Sequence, residues 1–112
     1  MHRRLWLNDP DCIMLRTADT NLAPESARAW ALAVAQSGGM ALVSDDLALL
    51  GAAERALLDE VIAIGRAVDD AIVAGGAAPT VPDLMDARTP TTLVAGDRSL
   101  IGDPDSGTAT LA

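Results

Sequence analysis

The chain has 112 residues, half of them hydrophobic, and a formal net charge of -8, which gives length and apolar content for one ordinary globular domain. Its eight basic residues are all arginines scattered along the chain, so no basic stripe exists for nucleic-acid phosphates, and the acidic balance disfavours an anionic membrane surface. Trp6 and Trp30 are the only aromatic residues, so any core must be built from Ala, Leu, Val and Ile, which bury little area each, and a self-sufficient core is not expected.

The first apolar run, residues 3–7, stops at Asn8, Asp9, Pro10 and Asp11, a cluster that ends strands, and it predicts a first strand. Pro24 and Glu25 then open a helix, with proline in the first turn and an acid facing the helix dipole. Ala27, Trp30, Ala31, Val34 and Ala35 fall on one face at helical spacing, and Gly38 and Gly39 stop the element, so a helix is predicted over 24–37. Residues 40–43 form a second short apolar run closed by Ser44, Asp45 and Asp46, a second strand. A longer helix follows over 52–74, with an apolar stripe of Leu57, Val61, Ile64, Val68 and Ile72 and a stop at Gly75 and Gly76.

From Ala77 onward Pro, Thr, Asp and Gly dominate and no sustained periodicity survives. Short β segments are predicted at 91–95 and 99–101. Asp103, Pro104 and Asp105 beside Gly102, Ser106 and Gly107 read as a turn without chemistry. The division is therefore residues 1–76, with two strand-helix units, and residues 77–112, a linker and the start of a β domain.

Cys12 is the single cysteine, so no intrachain disulfide can form, which suits a reducing compartment. No apolar segment follows Arg3 and Arg4 before the acidic cluster, so no signal peptide is expected, and no stretch is long enough to span a bilayer. The expected compartment is the cytoplasm. His2 is the only histidine, which excludes a Ser-His-Asp arrangement and a histidine-based metal site, and no cofactor or metal is expected. Gly38 and Gly39 lack the spacing and lysine of a phosphate loop.

The order strand, acidic turn, helix, repeated twice, is that of two consecutive units of a parallel α/β structure, whose sites lie where strands end. On this reading Asp9 and Asp11 close the first strand, Asp45 and Asp46 close the second, and the acids share one rim of the sheet, where carboxylates can accept hydrogen bonds from sugar hydroxyls. Asp45 or Asp46 alone reads more readily as a turn former or helix cap. Turn chemistry does not by itself require Trp6, Asn8, Asp9, Asp11, Cys12 and Arg16 together. Arg16 either pairs with one of these acids or is a solvated loop charge, and Trp6 reads as core rather than as a sugar platform.

The segment RLWLNDPDCIMLR, residues 4–16, followed by a helix and then SGGMALVSDDL, residues 37–47, resembles the α-galactosidases of glycoside hydrolase family 36. The later APTVPDLMD, residues 78–86, resembles the stretch by which such enzymes pass to a C-terminal β-sandwich. The resemblance covers most of residues 4–86. It implies an α/β fold that is a fragment of a (β/α)8 TIM barrel, whose last two strands would be residues 4–7 and 40–43, and retaining hydrolysis of terminal α-galactosyl groups by two carboxylates. In the family those two aspartates sit on earlier strands, so no catalytic residue is assigned here. The resemblance places Asp11 and Cys12 in the galactose pocket as substrate-binding residues, with Asn8, Asp9 and Asp45 shaping the site. The implied partners are a galactoside in an intact parent and a complementing N-terminal fragment or another copy of the chain.

Three readings follow. The first is an α-galactosidase-derived fragment, inactive alone, with uncovered apolar faces. The second is a small acidic helical module that dimerises through the stripe from Leu57 to Ile72, without catalysis. The third is hydrolysis by the chain alone, with Asp9 or Asp11 paired to Asp45.

Overall fold

The structure, a computed structural model, describes every residue except 1, 4, 6 and 8. Helix α1 (Pro24–Gln36) starts on a first-turn proline and an acid, Glu25, and ends where Ser37 Oγ donates to Val34 O at 2.7 Å and Gly38 takes the left-handed φ of 65°. That φ carries almost no steric cost in glycine. Helix α2 (Ala52–Val73) turns Val61, Ile64 and Val68 inward. Arg28 on α1 grips Glu60 on α2 with both nitrogens, at 2.7 and 2.8 Å. The stripe on α2 is therefore packed inside the chain, against α1.

The first strand lies elsewhere than expected. β1 is Cys12–Ile13 and pairs in parallel with β2, Leu42–Val43, in the register Cys12 with Leu42 and Ile13 with Val43. In the predicted strand at 3–7, Arg3 and Leu5 are in turns, while Arg4 and Trp6 lie outside the described residues. The cause is visible in the burial pattern: Ile13 and Leu15 are fully buried, while Leu5 and Leu7 are 70% and 52% exposed. The run after the acidic cluster alternates in and out as a strand must, and the cluster precedes the strand instead of closing it.

Three further strands, β3 (Thr92–Ala95), β4 (Arg98–Asp103) and β5 (Thr108–Leu111), form an antiparallel meander. Gly96, with φ 62°, sits in the two-residue β3–β4 turn, as tight hairpins require. Asp103 organises the β4–β5 turn: its carboxylate accepts from Asp105 N at 3.0 Å and from Ser106 Oγ at 2.7 Å. The meander lies against α1, and Leu100 of β4 shares one core cluster with Ile13, Leu15, Leu32, Val61 and Ile64. Gln36, fully buried, ties the two parts by donating from Nε2 to Arg98 O at 3.1 Å.

These findings overturn the expected fragment of a (β/α)8 barrel. The described residues form two α-helices, one 3-10 turn, a two-stranded parallel sheet and a three-stranded antiparallel sheet. A barrel unit would leave its helix faces to neighbouring units, whereas here the meander covers α1 and α1 covers the stripe of α2. The small side chains that argued against a self-sufficient core pack into one contiguous cluster because both helices and both sheets contribute to it.

Candidate functional site

The acidic turn is a self-capped loop. Asp9 Oδ1 accepts from Asp11 N at 3.0 Å, and Asp11 Oδ1 accepts from Cys12 N at 2.7 Å. Asp11 holds a φ of 77°, a left-handed conformation that aspartate adopts more readily than most residues because its short side chain bonds locally. Both aspartates are exposed and Cys12 is half-buried. Burial pushes the Cys12 thiol up, and the adjoining Asp11 and Asp9 charges push it the same way, so the thiol stays protonated at neutral pH and is a poor nucleophile. Asn8, expected to shape this loop, lies outside the described residues.

Asp45 does something different. Its side chain is 1% exposed, its Oδ2 accepts from Leu15 N at 2.6 Å, and its Oδ1 lies 3.9 Å from Arg16 Nε. That separation is an ion pair without a hydrogen bond. Ser44 reinforces the junction, with its N–H donating to Ile13 O at 3.1 Å. Asp45 thus replaces the next rung of the β1–β2 ladder with a carboxylate, and Arg16 sits beside it. The neighbouring Asp46 caps the 3-10 turn at Leu47–Leu49 by accepting from Ala48 N at 2.9 Å.

The expected common rim is not formed. Asp9 and Asp11 precede β1, whereas Asp45 and Asp46 follow β2, and the strands run parallel. In this register Asp11 and Asp45 are offset by four residues, roughly 13 Å along the strands at about 3.3 Å per extended residue. Carboxylates that share a glycoside cleavage stand about 5 to 10 Å apart.

Trp30 was expected on the buried face of α1 and is instead 45% exposed. It lies at the edge of the stripe formed by Ala27, Ala31 and Val34, and its indole Nε1 donates to Cys12 O at 3.2 Å. The ring forms one wall of a groove of about 420 Å³ between α1 and the meander, floored by Leu93, Leu100 and Ala109. No linear signal marks this groove, because its walls come from segments nearly fifty residues or more apart in sequence. Asp83 fixes the entry to β3 on the same side. Its carboxylate accepts from Thr91 N at 2.7 Å and Thr92 N at 3.3 Å, and these backbone hydrogen bonds, that of Thr91 foremost, hold it below the usual carboxylate range.

No protein-family model matches the chain. Among the described residues no cluster of His, Cys, Asp or Glu could hold a metal ion, and no helix is long and apolar enough to cross a membrane.

Proposed function

We propose that this chain is a non-catalytic part of an α-galactosidase-like glycoside hydrolase of the cytoplasm. It contributes Asp11 and Cys12 to a galactoside pocket that a separate segment completes with the two catalytic carboxylates. The observation that supports the reading is the pairing of the two segments on which the resemblance rests. Residues 4–16 and 37–47 are distant in sequence, yet Cys12 and Ile13 lie in register with Leu42 and Val43, and Asp45 holds Leu15. The acidic turn therefore stands on a strand pair instead of on a free loop. The reading concerns this turn and its neighbour strand, and it needs no barrel.

Hydrolysis by the chain alone, with Asp9 or Asp11 paired to Asp45, has little support, because the first two precede β1 and Asp45 follows β2 at the opposite end of the strand pair. Dimerisation through the stripe of α2 has less support, since Val61, Ile64 and Val68 already pack within the chain.

The test is a titration with methyl α-galactoside followed by amide NMR, beside an assay for release of p-nitrophenol from its α-galactoside. We expect saturable shifts at the Asp11 and Cys12 amides at millimolar sugar, their loss in Asp11→Ala, and no p-nitrophenol. Amides indifferent to the sugar, or shifts that persist in Asp11→Ala, would remove Asp11 from any sugar pocket.

A further inference from the structure

We propose that the groove between α1 and the meander is a binding site for a small, neutral, planar ring compound such as a phenol, distinct from the Asp11–Cys12 turn. Trp30 carries the argument. Tryptophan is on average well buried, because its apolar area is large. Here the ring stays 45% exposed while its one polar atom is already bound to Cys12 O. What the ring presents is therefore an apolar surface in a fixed orientation.

The facing wall complements a ring of that size. The groove's volume of about 420 Å³ falls within the range of small-molecule sites, about 300 to 1,000 Å³. Its floor of Leu93, Leu100 and Ala109 is apolar, while Ser26 and Thr108 bring hydroxyls to it. Gly107 lets the β4–β5 turn approach the helix and close one end: a Cβ there would stand 2.8 Å from Ser26 Oγ.

Charge selects a neutral occupant. Among the described residues Asp103 is the one ionisable side chain lining the groove, and its oxygens are already held by Asp105 N and Ser106. Among the described residues no arginine lines the groove to receive an anion, and the chain as a whole carries -8. A second copy of so acidic a chain would be repelled, which favours a small molecule over self-association.

The experiment is saturation-transfer NMR on p-cresol, with benzoate as the anionic comparison. The Trp30 indole N–H is followed in a Trp6→Phe background, where it is the only indole. Saturable binding of p-cresol is expected, with a shift of the Trp30 N–H and at least tenfold weaker binding of benzoate. Ala29→Leu, which fills the groove from an outer position of α1, should abolish the binding. Should that variant fail to fold, Trp30→Ala must abolish the transfer instead. Transfer that does not saturate, that persists in the variants, or that is equal for benzoate overturns the proposal. So does line broadening of the indole that depends on protein concentration without p-cresol, which would assign the groove to a second copy. Galactoside shifts at Asp11 are read separately, so this site and the sugar reading can fail independently.

Discussion

The two sheets reach order by different means. β1 and β2 are two residues each and parallel, so they depend on a helical crossover and on Asp45 reaching across to Leu15. Strands β3 to β5 are four to six residues long, and turns of two and four residues join them, the second held by Asp103 while Asp83 fixes the entry to β3. The parallel pair is held by contacts distant in sequence, and the meander by local turn chemistry and its own ladder. A change in the shared core should break both, a change at Asp45 the first alone, and acid chiefly the second.

Leu100→Ala tests the shared core and should have the largest effect. Leu100 is 4% exposed and joins the meander to Ile13, Leu32 and Val61. Truncating a leucine in such a position costs about 3 kcal/mol. Urea unfolding should show one transition moved to lower denaturant, with amide exchange accelerated in α1 and in β4 alike. Acceleration confined to residues 92–111 would mean that the sheets fold independently and that the common core is an incidental contact.

How much of this was legible in sequence follows the same division. Both helices were readable to within a residue at nearly every end, because proline, acid and glycine mark their termini and the stripe of α2 repeats at helical spacing. The meander's first two strands were readable from short apolar runs between turn residues. The third, Thr108–Leu111, was not, since Thr-Ala-Thr-Leu carries no strong pattern and gains its place only by pairing with β4. β1 was misplaced because apolar runs stand on both sides of Asp9-Pro10-Asp11, and the sequence alone does not say which of them finds a partner. The groove was invisible, since Trp30 lies at the edge of a helical stripe and its facing wall is distant in the chain.

Asp45→Ala against Asp46→Ala sharpens the comparison at the parallel pair. The Asp45 side chain is buried and accepts from Leu15 N, while Asp46 is exposed and caps a single 3-10 turn. Losing a hydrogen bond to a buried charge, and leaving Arg16 without its neighbour, should cost about 2 kcal/mol by urea unfolding. Asp46→Ala should cost a small fraction of that. Equal losses would show that Asp45 is one more turn former and that the strand pair needs no carboxylate to hold it.

Acid should act on the meander, and more gently. Asp103 is held below the usual carboxylate range by the hydroxyl of Ser106 and the amides of Asp105 and Ser106, and Asp83 by the amides of Thr91 and Thr92. A carboxyl whose folded value is lowered binds protons more readily when the chain is unfolded. The stability it contributes is therefore complete above the ordinary carboxylate range and is lost as pH falls through the lowered folded value. Both groups border solvent, which screens the effect and keeps it small. Amide exchange at Thr91, Thr92, Asp105 and Ser106, corrected for intrinsic rates, should lose protection as pH falls below the ordinary carboxylate range, before Ile13 and Leu15 change. Asp83→Asn keeps an acceptor but removes the titration, so Thr91 and Thr92 should become pH-independent in that variant while Asp105 and Ser106 still respond. If β1 loosened first under acid, the parallel pair and not the meander would be the acid-sensitive part, and the contrast between the two sheets would be reversed.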